Sequence, residues 1–326
     1  MRRVEIDNPQ SSWNPSLLLP GVTPAYSTAF GAAYLGDSLS VMQRLPSNSV
    51  RAVVTSPPYA LHFKKEYGNV DKGAYVEWFL PFAKEIKRIL VEDGSFVLNV
   101  GGSYNPGIPT RSLYHFKLLI ALCDEVGFHL AQECFWYNPA KLPAPAEWVN
   151  VRRIRIKDSV EYIWWLSPSP WPFANNRNVL VPYSQDMRRL IKNGFRATKR
   201  PSGHNITAKF GTDRGGAIPA NLIEDDVPSN LIDRGNNESN SEYIKYCKEC
   251  GAKVHPARFP AALPQFFIKL LTARNEVVLD PFAGSNTTGW VAEALERYWI
   301  SIEVEKEYVT NSALRFGLNL QAEHDR

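Results

Sequence analysis

The chain has 326 residues, 44% of them hydrophobic and 21% charged, with a formal net charge of +4. That length holds one large domain or two ordinary ones around a buried core, and no run of about 18 apolar residues offers a membrane-spanning helix. The mild positive charge permits a polyanionic partner without demanding one. Cys123, Cys134, Cys247 and Cys250 are too few for a disulfide framework in so long a chain and fit a reducing, cytoplasmic setting.

Residues 1–26 read as a polar N-terminal arm, because "SLLLP" is too short for a signal-peptide core. "SVRAVVT" (49–55) alternates little and predicts a buried parallel strand. From Glu77 to Leu90, the positions Phe79, Phe82, Ala83, Ile86 and Leu90 share one helical face. "GSFVLNV" (94–100) is a second buried strand, and 112–127 is a helix closed by Gly127. "HLAQECFWYN" and "VEYIWWL" are rich in β-formers. "EVVLD" (276–280), "TTGWVAEALER", "YWISIE" (298–303) and "YVTNSALRFG" then predict strand, helix, strand and helix. Strands alternating with helices give an α/β sandwich with a mostly parallel sheet.

The middle of the chain departs from this rhythm. Asp186 to Arg214 holds eight Lys/Arg against two Asp, whereas Glu224 to Glu242 holds six acids against one Arg. Both stretches are rich in Gly, Asn, Ser and Pro and neither is strongly periodic, so an irregular insertion on the α/β core is expected.

Two constellations carry chemistry. "VVLDPFAGSNTTG" (277–289) leads from a strand through a tight turn into a helix, and the next strand ends in Glu303, 23 positions after Asp280. This is the outline of a nucleotide-binding βαβ unit, with the second acid placed to accept from ribose hydroxyls. Only Gly284 lies within the turn, so the loop is a poor cradle for pyrophosphate. It suits an adenosine ligand lacking one, such as S-adenosyl-L-methionine. The second constellation, "TSPPY" (55–59), closes the strand at 49–55, at the strand end where open α/β sheets bind ligands. Pro57 and Pro58 fix the backbone, which turns the carbonyls of Ser56 and Pro57 outward as rigid acceptors. Ser56 adds a hydroxyl, and Tyr59 a flat face. Such a set matches the exocyclic amino group of a planar base.

Ser-Pro-Pro-Tyr paired with Asp-Pro-Phe-Ala-Gly-Ser-Asn-Thr-Thr resembles the amino-methylating DNA methyltransferases. The order, tetrapeptide first and cofactor loop C-terminal with an insertion between, resembles their permuted β class. Further segments, among them "GDSLSVMQRLPSNSV", "DGSFVLNVGGSY", "RSLYHF", "FWYNPAKLPAPAEWVN", "RIRIKDSVEYIWW" and "HPARFPAALPQFFIKLLT", resemble the PvuII-type N4-cytosine branch over residues 27–316. The resemblance implies a Rossmann-like, circularly permuted methyltransferase sandwich. Its parts would be a catalytic half (27–185), a target-recognition insertion (186–254) and a cofactor-binding half (255–326). The activity implied is methyl transfer from S-adenosyl-L-methionine to N4 of a flipped cytosine in double-stranded DNA, within a short palindromic site. N6-adenine methylation and a non-catalytic DNA-binding protein on the same fold are the alternatives. A homodimer and a cognate restriction endonuclease encoded nearby are partners such enzymes raise; no membrane is expected.

The same resemblance assigns residues. Ser56, Pro57, Pro58 and Tyr59 form the catalytic turn. Asp280, Pro281, Phe282, Gly284 and Ser285 form the cofactor loop, and Glu303 binds the ribose. Asp37 contacts adenine or caps a helix; Thr287 and Thr288 reach the methionine carboxylate or cap theirs. Phe259 closes over the methionine end of the cofactor or packs in the core. Arg152, Arg153, Arg155, Lys157, Arg188, Arg189, Lys199 and Arg200 are, as a cluster, candidates for DNA phosphates. Trp136, Trp164 and Trp165 wall the base pocket or, as the preferred reading, belong to the core. A zinc site built on Cys247-x-x-Cys250 and His255 lacks a fourth ligand, so no metal is expected. No Pro-Cys pair is present for C5-cytosine chemistry.

Overall fold

The computed structural model describes residues 14–60, 72–139, 141–194, 198–199, 205–206, 208–224, 236–249, 251, 253–255, 260–318 and 320. Its centre is a nine-stranded sheet built from β1 (Tyr26–Ser27), β2 (Gly31–Leu35), β3 (Val50–Thr55), β4 (Leu90–Val100), β5 (His129–Tyr137), β6 (Val160–Ser167), β9 (Leu222–Glu224), β10 (Val277–Asp280) and β11 (Tyr298–Glu303). The order across the sheet is β1-β2-β11-β10-β3-β4-β6-β5-β9. Only β1 and β6 oppose the common direction. A separate ribbon pairs β7 (Thr198–Lys199) with β8 (Asn205–Ile206).

Helices cover both faces, as a sheet buried on both sides requires. One layer carries α1 (Ser38–Met42), α2 (Tyr75–Ile89) and α3 (Tyr114–Asp124); its core holds Tyr75, Phe79, Ile86, Phe96, Leu118 and Trp164. The other carries α6 (Ala262–Leu271), α7 (Thr287–Ala294) and α8 (Lys306–Ser312) over Val54, Val97, Phe267, Ile268 and Trp299. Of the apolar face expected from Phe79 to Leu90, Phe79, Phe82, Ala83 and Ile86 are buried on α2, which begins two residues earlier than expected, whereas Leu90 turns to extended backbone and opens β4. Gly127, at φ +76°, closes α3 through the Phe128 N–H to Leu122 carbonyl bond at 3.0 Å. Trp136, Trp164 and Trp165 are core residues, at most 9% exposed.

The stretch expected to be irregular is partly ordered. Leu222–Glu224 adds an edge strand parallel to β5, and α4 (Gln185–Asn193) and α5 (Asn236–Glu249) are helices. The polar stretch 236–249 forms a helix because Tyr243 and Cys247 are buried, with the Arg315 guanidinium 4.5 Å over the Tyr243 ring.

His115 on α3 is 1% exposed, and neither ring nitrogen has a hydrogen-bond partner. It lies parallel to Trp164, with centroids 6.3 Å apart. Burial, helped by the Arg111 charge, pushes its pKa down to about 4. The folded chain therefore holds it neutral while the unfolded chain takes up a proton below about 6.5. Stability is expected to fall as pH drops from 6.5 toward 4, and His115→Phe to remove that share of the acid sensitivity in urea titrations at a series of pH values.

Candidate active site

Two chain reversals meet at the centre of the sheet. After β10 the chain crosses through α7 to β11 on one side; after β3 it crosses through α2 to β4 on the other. A crevice opens outside the carboxyl ends of strands at such a switch point. Both constellations stand there: Asp280 ends β10 and Thr55 ends β3.

Asp280 locks the two together. Its Oδ1 accepts from Thr55 Oγ1 at 2.6 Å and from the Phe282 N–H at 3.1 Å, and its Oδ2 from Thr288 Oγ1 at 2.7 Å. Burial pushes its carboxyl up to about 6, against the pull of these donors. Phe282 packs on Phe82, Trp78 and Phe79 with centroids 5.2 to 6.3 Å away. The Pro281 carbonyl accepts from Ser38 Oγ. Gly284 turns at φ +52°, donates its N–H to Glu303 Oε2 at 2.8 Å, and lies so close to His255 that a Cβ would stand 3.0 Å from Cε1 of that ring. Arg315 clamps Ser285, donating to its carbonyl at 2.5 Å and its hydroxyl at 3.0 Å.

Helix α7 is not capped by Thr287 or Thr288. The cap is Asn286, at φ +56°, whose Oδ1 accepts from the Gly289 N–H at 3.1 Å. Asparagine tolerates the left-handed conformation this sharp turn imposes, which a β-branched threonine resists. Both threonines are buried, Thr288 on Asp280 and Thr287 within 3.4 Å of Ser285 Oγ. The Asn286 amide also binds Ser301 Oγ at 2.5 Å and the Tyr26 hydroxyl at 2.9 Å, forming a polar knot beneath the loop.

These donors and acceptors fit a nucleoside ligand without a diphosphate. The Asn286 cap takes the Gly289 N–H, one of the donors a phosphate at this helix start would use. Glu303 accepts from the Gly284 and Glu305 N–H groups at 2.8 and 3.0 Å. A carboxylate has about four acceptor sites, and with the Val304 N–H also directed at it, capacity remains for a ribose hydroxyl. Burial raises its pKa. Asp37 caps α1, accepting from the Ser40 N–H at 2.9 Å, and is exposed at the same edge, beside the Gly36 N–H that binds the Glu303 carbonyl at 3.0 Å. Phe259 lies outside the described residues.

Across the crevice, Ser56 is half-buried and Pro57 buried. Ser56 Oγ lies 3.2 Å from the Tyr59 hydroxyl and 3.4 Å from Asn99 Oδ1. With its proton turned that way, its lone pairs are the part left to accept. The Pro58 carbonyl is taken by the Tyr75 hydroxyl at 2.8 Å. Tyr59 donates to Glu161 Oε2 at 2.8 Å and stands 3.0 Å from Asn99 Oδ1. Its ring lies against Gly101, where a Cβ would come within 2.5 Å of Cε2. Burial, then the Glu161 charge, holds the Tyr59 phenol well above its ordinary pKa. Asn99, Glu161 and Lys141, whose Nζ binds Glu161 Oε1 at 3.0 Å, were not singled out from the sequence.

The basic cluster is partly spent within the chain. Arg152 pairs with Glu147 at 2.7 Å, Arg155 donates to the Pro109 carbonyl at 2.8 Å, and Lys157 donates to the Pro139 carbonyl at 2.8 Å. Arg188 donates to the Tyr183 carbonyl at 3.1 Å, and Arg189 lies 3.7 Å from Asp186. Arg153, at φ +54°, is exposed on the same excursion. That excursion leaves β5 at Tyr137 and rejoins β6 at Val160, on the edge of the sheet that carries the crevice. The side chain of Lys199, and Arg200 and Cys250 entirely, lie outside the described residues.

The family model described as DNA methylase, of N6/N4 type, matches residues 50–314. The type II methyltransferase M.PvuII of Proteus hauseri is 49% identical over 312 residues, covering 95% of this chain and 90% of that protein. The solved PvuII DNA methyltransferase, titled cytosine-N4-specific, superposes with a TM-score of 0.72 at 44% identity and 94% coverage of each chain. The DNA adenine methyltransferase YhdJ of Escherichia coli K12 is 23% identical over 84% of this chain and 78% of its own length.

Proposed function

The chain belongs to the N6/N4 DNA methylase family, and from that premise we propose that it moves a methyl group from S-adenosyl-L-methionine to N4 of a cytosine in double-stranded DNA. One observation carries this reading. Identity is 49% over 95% of this chain to a type II methyltransferase, whose PvuII counterpart among solved structures is titled cytosine-N4-specific, while identity to the adenine enzyme is 23%.

S-Adenosyl-L-methionine, when bound, supplies the electrophilic methyl. We assign its nucleoside to Glu303, Asp37, Pro281, Phe282 and the backbone of Gly284 and Ser285, with Asp280, Thr287 and Thr288 shaping the loop from beneath. Phe259 would close over the methionine end. The target base cannot be reached inside a duplex, so it is flipped into the pocket beside β3. Ser56 Oγ and the Pro57 carbonyl accept from its amino group, which turns the nitrogen lone pair out of conjugation with the ring. Tyr59, anchored at its hydroxyl and backed by Gly101, stacks on the base. Catalysis is then mainly positioning and electrostatics. Arg152, Arg153, Arg155, Lys157, Arg188, Arg189, Lys199 and Arg200 form the surface we assign to DNA, with Arg153, among those whose side chains are described, the member least committed elsewhere. The recognised site is a short palindrome; a homodimer, a partner endonuclease and action on the nucleoid in the cytoplasm complete the reading. Among the described residues, no helix is long and apolar enough to cross a membrane.

The test is to methylate DNA with the purified chain, hydrolyse it, and locate the methyl by mass spectrometry. N4-methylcytosine supports the reading; N6-methyladenine alone contradicts it. A second expectation concerns the loop. Gly284→Ala places a Cβ at a left-handed position, at a cost of about 1–2 kcal/mol, and 3.0 Å from His255. Weaker binding of S-adenosylhomocysteine is expected by calorimetry.

A further inference from the structure

Methyl transfer to an amino group has a proton to place. The bond formed joins N4 to the methyl carbon; the bond broken joins that carbon to the sulfonium sulfur, whose electron pair stays on sulfur. An amino nitrogen with two hydrogens thus becomes a methylamino nitrogen with one, and one proton must leave. Neither the Ser56 hydroxyl nor the Pro57 carbonyl is basic enough to keep it.

A line of hydroxyls leads from the pocket to a carboxylate. Ser56 Oγ donates to the Tyr59 hydroxyl at 3.2 Å, and the Tyr59 hydroxyl donates to Glu161 Oε2 at 2.8 Å. Asn99 touches both hydroxyls, but its Nδ2 donates to the Tyr162 carbonyl at 3.1 Å, which fixes Oδ1 as the acceptor facing them. An amide oxygen orients the pair and cannot keep a proton; a carboxylate can. Glu161 is 9% exposed. Its other oxygen is held by Lys141 Nζ at 3.0 Å, from the start of the excursion between β5 and β6. Resting on the function proposed above, we infer that Glu161 is the terminal acceptor of the proton shed by the target amino group, reached through Ser56 and Tyr59. As the N4 proton moves onto Ser56 Oγ, the serine proton moves to Tyr59 and the tyrosine proton to Glu161, so each hydroxyl ends as it began. Glu161 is then a carboxylic acid beside an ammonium group, and releases its proton toward the half-exposed Lys141 side before the next turnover. Among the described residues, Tyr114 also acts on Tyr59 and Glu161, with Arg111 acting on Tyr114 in turn.

The experiment compares wild type, Glu161→Gln, Tyr59→Phe and the double variant in single-turnover methylation of saturating DNA. Glu161→Gln is expected to slow transfer by ~10²-fold or more, the range for general acid–base groups, with S-adenosylhomocysteine binding unchanged. Tyr59→Phe keeps the ring and removes only the relay hydroxyl. It is expected to lose a similar factor, and the double variant no more than the worse single one. A readout apart from activity accompanies these. In Glu161→Gln without cofactor or DNA, the Tyr59 phenol, followed by its absorbance difference against a Tyr59→Phe control, is expected to ionise at lower pH, because the adjacent carboxylate opposes the phenolate. Wild-type rate in Glu161→Gln, or losses that multiply in the double variant, would overturn the inference. Should Glu161→Gln not fold, wild-type rate in Tyr59→Phe overturns it alone. Wild type making no N4-methylcytosine would instead sink the function on which the inference rests.

Discussion

Asp280→Ala is expected to cost about 3 kcal/mol or more of folding stability, since each buried polar group left unsatisfied costs about 1–3 kcal/mol. Two donors lose their acceptor, the Thr55 hydroxyl and the Phe282 N–H, and the Thr288 hydroxyl is left with only the Val54 carbonyl, 3.4 Å away. The site is 1% exposed, so water does not replace the carboxylate. The damage reaches function because those donors come from the end of β3, the start of α7 and the turn between β10 and α7. Releasing them frees the loop from the strand carrying the Ser-Pro-Pro-Tyr turn. Binding of S-adenosylhomocysteine should then be lost at temperatures where the chain is still folded. Asp280→Asn is expected to be milder. Its Oδ1 still serves Thr55 and Phe282, and the Thr288 hydroxyl can rotate to accept from the new amide. Urea unfolding with calorimetric titration separates the two variants.

Ser56→Ala is expected to do the opposite: transfer falls by ~10²-fold or more, the size seen when one preorganised polar group aimed at the reacting centre is removed, while cofactor affinity and stability hold. Ser56 is half-buried, and its near partners, Tyr59 and Asn99, keep other bonds, to Glu161 and to the Tyr162 carbonyl. No buried donor is orphaned. Loss of cofactor binding in this variant would contradict the division of labour between the two sides of the crevice. Single-turnover kinetics beside calorimetry supply both numbers.

How much of this was legible in the sequence depended on how far apart the interacting residues lie. The Ser-Pro-Pro-Tyr turn and the 277–289 loop could be read because their chemistry is contiguous. Prolines after a β-rich run mark a strand end, and a glycine after a strand marks a turn. The α2 face could be read from its period, and its burial follows. The cap of α7 was misassigned to threonine because the left-handed φ of Asn286 is a property of the folded turn. Asn99 and Glu161 stood inside strands and looked like ordinary strand residues. What makes them part of the site is sheet register: Val100 pairs with Tyr162, bringing the end of β4 beside the start of β6 under Tyr59. Lys141 enters only through the excursion that β6 anchors. β9 has three residues, too few for a periodic signal, and owes its strand to the exposed edge of β5. Similarly, Arg152, Arg155 and Lys157 looked free in sequence because carbonyl and carboxylate partners such as Pro109, Pro139 and Glu147 are set by loop geometry.

The central claim is that a pocket of rigid acceptors beside β3 presents an amino nitrogen of cytosine to a sulfonium methyl. The most direct test is single-molecule sequencing, with modification detection, of DNA from cells expressing this chain. The account predicts N4-methylcytosine at one short motif, depleted in cells expressing Ser56→Ala. N6-methyladenine at that motif, or unmodified DNA from cells holding the folded protein, would contradict it.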